Sequence, residues 1–365
     1  MRTQNRLATE SVSFTCDKER RQCNGAAPRV SAIIAAYNGE RFIRPAVESI
    51  LTQTFRDFEL IVIDDCSTDG TPQILAELKD ERLRIIRNER NLGIAKSLNT
   101  GLAVAKGEYV ALQDHDDVSL PTRFECQVGF LDKHVQIGMV GSNYTIIDET
   151  GAAVTNCPVE CDNLKLRWTL LWSNPFCHTT IMVRRRAIQE AGGYSPNENY
   201  RFAEDYDMMS RVAVHFPVAN ISQPLGLWRR HSTAASQLHA DQQLVSTRLI
   251  SQRNICELLK WDHIDVARWR GLERFLCQPV RQQLDLTSAE VNCTLNFLPT
   301  IHETFCSKYG LVKREAAAHR LKVFWSWGKH ALALSYRRNG RRNAACRFSL
   351  FAGGAKLIAK ALRPA

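Results

Sequence analysis

The segment VSAIIAAYNGERFIRPAVESILTQTFRDFELIVIDDCSTDGTP, Val30 to Pro72, holds two apolar runs, VSAIIAA and FELIVI, each passing straight into polar turn residues. Between them Phe42, Val47, Ile50 and Leu51 recur at helical spacing, so the segment reads as strand, helix, strand. Thr71, as an N-cap before Pro72, opens a second helix along Ile74, Leu75 and Leu78. LRIIRN (Leu83 to Asn88) is a third strand, and Ile94, Leu98 and Leu102 line a helix that ends at Lys106-Gly107. A fourth strand, in YVALQDHDDVSLP (Tyr109 to Pro121), runs into three carboxylates. This alternation predicts an α/β fold: a mostly parallel, Rossmann-like sheet with helices on both faces. After Pro121 the pattern changes. Phe124 to Leu131 reads as a helix, Met139 to Val154 as a hairpin around Glu149-Thr150-Gly151, and HTTIMVRR (His178 to Arg185) as another strand. Beyond about Ser236 the chain becomes helical and tryptophan-rich.

In an open parallel sheet, ligands bind at the carboxyl ends of the strands. Ala35 (through its backbone), Tyr37, Asn38, Asp64, Asp65 and the Asp114-His115-Asp116-Asp117 cluster are therefore expected in one crevice. Three carboxylates within four positions repel one another unless a cation sits among them, and Mg²⁺ or Mn²⁺ prefers carboxylate oxygens together with substrate phosphates. Asp114, Asp116 and Asp117 are thus the expected metal site. An aromatic ring can stack on a base and a carboxylate can accept the imide N–H of uracil, so Tyr37 and Asp65 suit a uridine pocket. Lys96, after Asn91-Leu92-Gly93, is either within reach of a diphosphate or an exposed helix lysine. In RFAEDYDMMSRV (Arg201 to Val212), Glu204 and Asp205 precede Tyr206, Met209, Val212 and Ala213 at core spacing, which places the two acids on the first turn of a helix.

These ordered segments, from VSAIIAAYNG through NERNLGIAKSLNTGLAVAKGEYVALQDHDD, resemble the nucleotide-sugar half of the family-2 inverting glycosyltransferases, which have the GT-A fold. The resemblance runs roughly from Arg29 to His231. It implies transfer of a sugar from a nucleoside diphosphate, expected to be UDP, to a glycan or lipid-linked acceptor in bacterial cell-surface polysaccharide synthesis. It places Asp114-His115-Asp116 at the DxD position, with Asp116 or Asp117 nearest the metal and Asp114 toward ribose or sugar. It makes Asp205 the general base, beside Glu204, and places His178 at the floor of the acceptor site. His231, in LWRRHSTAAS, matches the family's closing R-x-H segment and would touch the diphosphate or complete the metal shell. An ionised Asp205 near neutral pH needs no raised pKa for this role. The rival is a sugar nucleotidyltransferase, but that chemistry opens with a glycine-rich phosphate loop, whereas AAYNGERF has one glycine.

The chain has 365 residues, 44% hydrophobic and 24% charged, which excludes wholesale disorder and allows one large domain with an appendage. The expected division is a disordered leader (1–28), a catalytic domain (29–235) with a nucleotide-sugar half (29–120) and an acceptor half (121–235), and a helical basic region (236–365). The twelve cysteines include no CxxC pair, as expected of free thiols in a reducing cytosol. No apolar run reaches the roughly 18 residues of a membrane span and no signal peptide opens the chain, so a cytoplasmic location is expected. From Ser307 to Ala365 fourteen lysines and arginines face one acid, Glu315. Leu350, Phe351, Gly354, Leu357, Ile358 and Ala361 share one helical face there, an arrangement suited to peripheral contact with an anionic membrane. Nucleic acid is not an expected partner, because no nucleic-acid module accompanies the arginines.

Overall fold

The computed structural model describes residues 27–266, 268–270, 272, 288–312 and 315–316. Four parallel strands form its first half: β1 (Val30–Ala36), β2 (Phe58–Asp64), β3 (Leu83–Arg87) and β4 (Tyr109–Asp114), in the order β3-β2-β1-β4. Helices α1 (Ile43–Leu51), α2 (Thr71–Glu77) and α3 (Ile94–Val104) make the crossovers. The apolar runs are buried on both faces because successive side chains point oppositely. Ile33, Ile61, Ile63, Val110 and Leu112 join the core under α3, whereas Ala32, Ile34, Leu60, Val62 and Ala111 pack toward α1. The register pairs Ala36 with Asp64 and Ala35 with Asp114. The polar ends of β1, β2 and β4 therefore lie side by side along one sheet edge.

The sheet continues through strands of mixed direction: β5 (Val118–Ser119), β6 (Met139–Ile147), β7 (Ala153–Cys157), β8 (Met182–Arg184) and β9 (Val218–Arg229). β8 runs antiparallel to β4, β7 forms the expected hairpin with β6, and β9 lies parallel to β6. Two sequence expectations change. His178 to Thr180 is a single 3₁₀ turn rather than strand, and only Met182–Arg184 pairs as β8. Thr71 lies inside α2, with Gly70 as the N-cap. The Thr71 hydroxyl accepts the Gly39 N–H at 2.8 Å instead of capping its own helix.

Between and after these strands lie α4 (Arg123–Lys133), α5 (Asn163–Thr169), α6 (Arg185–Glu190), α7 (Glu204–His215), α8 (Ala235–Leu238), α9 (Ala240–Leu259) and α10 (Ser288–Lys308). Trp168, Leu171 and Trp172 pack with Ile255 and Leu258 of α9 and Leu298 and Ile301 of α10 in a separate core. Residues 1–26 and most of the basic stretch after Ser307, including the amphipathic pattern at Leu350 to Ala361, lie outside the described residues. Among the described residues no helix is long and apolar enough to cross a membrane.

Candidate active site

The turns after β1 and β2 are zipped together. Asn38 N–H donates to Ser67 Oγ at 3.0 Å and Thr68 N–H to Asn38 Oδ1 at 2.9 Å. Glu40 N–H reaches Asp69 Oδ2 at 3.1 Å, and Gly70 N–H returns to Glu40 Oε2 at 2.7 Å. Asn38 has a left-handed φ of 51°, a conformation asparagine tolerates better than most side chains. Tyr37 is left 45% exposed at this rim. Asp64 is buried and bridges Arg87 at 2.6 Å, while its other oxygen accepts the Ser67 N–H at 2.9 Å. Asp65 gathers the 88–93 loop. Its Oδ1 accepts from Asn88 Nδ2 and Leu92 N, both at 2.8 Å, and its Oδ2 accepts from Gly93 N at 2.9 Å. An ionised carboxylate has about four acceptor positions, so one remains on Oδ2. Ala35 lies within the ladder between Ile63 and Asp114, and Lys96 is exposed on the first turn of α3.

Beside this rim the β4 turn separates its carboxylates into different environments. Asp114 Oδ1 meets His178 Nδ1 at 2.8 Å, and His178 Nε2 meets the Tyr194 hydroxyl at 2.8 Å. Burial alone would disfavour the imidazolium, yet Asp114 outweighs it and raises the His178 pKa. Asp116 Oδ2 lies 2.8 Å from His231 Nε2, whose Nδ1 lies 2.9 Å from Thr233 Oγ1. Burial opposes ionisation of Asp116, but the imidazoles of His231 and His115 hold its pKa below the usual value. His115 packs directly over Gly39. A Cβ at Gly39 would stand 2.5 Å from His115 Cδ2, so glycine is required for this contact.

Asp117, expected among the metal ligands, is sealed at 1% exposure. Its Oδ1 accepts the Arg229 backbone N–H at 2.6 Å, and its Oδ2 is buried with no hydrogen-bond partner. Burial, reinforced by Asp116 and Asp114, pushes its pKa well up. Its observed part is to join the turn to β9. Arg229 completes that joint, donating from Nε to Asp116 O at 2.8 Å and from a terminal nitrogen to Asp148 O at 3.1 Å. Sequence reasoning assigned no role to Arg229, although it opens the R-x-H segment.

Helix α7 starts at Glu204, as expected. Asp205 Oδ2 accepts from Asn174 Nδ2 at 2.8 Å. Burial raises the Asp205 pKa, with His178 pulling against it. Burial also pushes Glu204 to about 7. Asn174 and Tyr194 went unread because no local pattern marks a residue that reaches its partner only after folding.

Among the described residues no three His, Cys, Asp or Glu side chains gather into a metal-holding group. The donor set nevertheless suits a divalent ion shared with substrate: one carboxylate oxygen and one imidazole nitrogen in contact, with phosphates and water to fill the remaining positions. His231 Nε2 now shares a hydrogen bond with Asp116 Oδ2; with Thr233 accepting from Nδ1–H, an ion that replaced that shared proton would find Nε2 able to serve as a ligand.

The model of glycosyl transferase family 2 matches residues 31–192. EpsE of Bacillus subtilis, which bears a glycosyltransferase name, is 34% identical over 250 residues, covering 67% of this chain and 88% of its own. The chain belongs to glycosyl transferase family 2. A Haemophilus influenzae glycosyltransferase is 32% identical, covering 66% of this chain and 77% of its own. The Escherichia coli enzyme WfaP, a UDP-Glc:α-D-GlcNAc-diphosphoundecaprenol β-1,3-glucosyltransferase, is 34% identical over 171 residues, 47% of this chain and 67% of its own. Among solved structures, TarS 1-349 of S. aureus in complex with UDP-GlcNAc has a TM-score of 0.53 at 19% identity, covering 86% of this chain and 93% of that one. In a longer TarS structure the match spans 91% of this chain and 55% of that one. The likeness supports the GT-A fold read from the sequence.

Proposed function

We propose that this chain transfers a hexosyl group, with inversion, from a UDP-linked sugar to a hydroxyl of a glycan or lipid-linked acceptor in cell-surface polysaccharide synthesis. The observation that carries this reading is a set of contacts at the end of β4: Asp116 meets His231, Asp114 meets His178, and the charge of Asp205 at the start of α7 is felt at His178. Asp116 contacts an imidazole and its pKa is held low, whereas Asp205 contacts an amide and its pKa is raised by burial. The names of WfaP and of the TarS complex favour UDP as carrier, and WfaP favours a lipid diphosphate acceptor.

In this mechanism Asp116 and His231 would hold Mn²⁺ or Mg²⁺. The ion, when bound, neutralises the departing diphosphate. Tyr37 stacks on the base and the remaining acceptor position of Asp65 takes its imide N–H; Asn38 and Asp64 shape the loop, and Lys96 lies toward the diphosphate. Asp114, steadied by His178, receives a ribose or sugar hydroxyl. The acceptor oxygen attacks the anomeric carbon from the face opposite the diphosphate. As that bond forms and the sugar–phosphate bond breaks, Asp205 takes the hydroxyl proton. Burial raises the Asp205 pKa, which strengthens it as a base for this proton, and Glu204 precedes it on the first turn of α7.

The division at residues 28, 120 and 235, a cytoplasmic location and peripheral attachment to an anionic membrane through the basic stretch complete the proposal. Purified protein given a panel of nucleotide sugars, with Mn²⁺, Mg²⁺ or excess chelator, tests it. Metal-dependent transfer from a UDP-sugar with the anomeric configuration reversed is expected. Full activity in chelator, or a product with retained configuration, contradicts it.

A further inference from the structure

The Asp205 carboxylate is held by Asn174, and the turn that leads to it by α9, both distant in sequence. Asn174 Oδ1 accepts the Phe176 N–H at 3.0 Å, which fixes the amide so that its NH₂ faces Asp205 Oδ2. Leu170 and Leu171, just before Asn174, are held in turn by α9: Ser251 Oγ donates to Leu171 O at 2.7 Å and Asn254 Nδ2 to Leu170 O at 2.8 Å.

The same helix holds the chain entering α7. Gln243 Nε2 donates to Phe202 O at 2.9 Å and Ser246 Oγ to Arg201 O at 2.7 Å. That turn needs holding, because Phe202 has φ of 66°, which costs roughly 1–2 kcal/mol for a residue with a Cβ. Further along, Arg253 pairs with the fully buried Asp207 and donates to Ser210 Oγ at 2.7 Å. Helix α9 lies beyond residue 192, where the family match ends.

We propose that Asn174 and α9 form a positioning frame for the base, engaging one oxygen of Asp205 and leaving the other to face the acceptor hydroxyl. None of the frame residues is a catalytic residue; each acts through Asp205. The proposal rests on the reading of Asp205 as base. The turn at Phe202 and its bonds to α9 bear directly on where the Asp205 carboxylate stands, at a point where misplacement by about 1 Å costs on the order of 10²-fold in rate.

Steady-state kinetics on Asn174→Ala, on Gln243→Leu with Ser246→Ala, and on Ser246→Thr, with Asp205→Asn as reference, tests the frame. Asn174→Ala and the double variant should lose about tenfold or more in kcat with donor KM and UDP affinity unchanged. Ser246→Thr keeps the hydroxyl and should restore turnover. Should Asn174→Ala fail to fold, Ser246→Ala against Ser246→Thr carries the same comparison. Folded variants with wild-type kcat beside an inactive Asp205→Asn overturn the frame alone. Equal losses of kcat and donor affinity also overturn it, since they mark general loosening. A fully active Asp205→Asn overturns the underlying reading of the base.

Discussion

At the donor end of the crevice, Asn38 to Glu40 are bonded to Ser67 to Thr71 across two adjacent turns. At the base end, Asp205 depends on Asn174 and on a turn fastened by Gln243 and Ser246. The first region is built by short polar segments that sit where strands end, and each segment carries its own partners. The second is assembled from pieces that meet only when α9 docks on α5 and α7. One end is specified locally and the other by tertiary packing, so they should fail differently.

The largest effect is expected at the donor end. Asp116→Ala leaves His231 as a single protein donor to the ion, and should lower kcat/KM by about 10³-fold or more, the several kcal/mol a bound metal contributes. Titration of Mn²⁺ with a UDP-sugar should show loss of metal-enhanced donor binding. Unchanged metal dependence would break the division between the two ends.

The same contrast explains what was legible in the sequence. The strands β1, β2 and β4 announce themselves by apolar runs ending in Tyr37, Asp64 and Asp114, and their parallel register alone brings those residues together. Asp116 and His231 were readable as separate signals, and folding joined them. Spacing does not tell which of three neighbouring carboxylates turns inward; the Arg229 N–H, 112 positions away, holds Asp117 there. Asn174 and Arg253 carried no signal, since their value lies in partners 31 and 46 residues distant.

A smaller effect is expected at the joint between the β4 turn and β9. Arg229→Leu keeps the backbone N–H to Asp117 but removes the donors to Asp116 O and Asp148 O. Stranding such carbonyls costs about 1–3 kcal/mol of stability. Denaturant unfolding should show that loss, and donor kcat/KM should fall about tenfold to a hundredfold as the metal-site turn shifts. An unaltered turnover would show that Arg229 serves the hairpin only.

The gentlest probe is the pH dependence of stability. The folded-state pKa of Glu204 is raised by burial from 4.5 to about 7, so between those values the folded chain holds a proton that the unfolded chain releases. Its contribution is fully present below about pH 4.5 and is lost as pH rises through about 7. Glu204→Gln removes that loss, so between pH 5 and pH 8 the variant should gain on the wild type in unfolding free energy, by roughly 3 kcal/mol at the upper limit, and in Tm accordingly. A Tm difference flat with pH would show that Glu204 is not held protonated.

The separation of the two ends is tested most directly by measuring nucleotide-sugar affinity and turnover side by side in Asp205→Asn. With Mn²⁺ present, calorimetry should return the wild-type donor affinity while kcat falls by about 10²–10⁴-fold, the usual contribution of a positioned base. Wild-type turnover, or a loss of donor affinity matching the loss of turnover, would contradict the account.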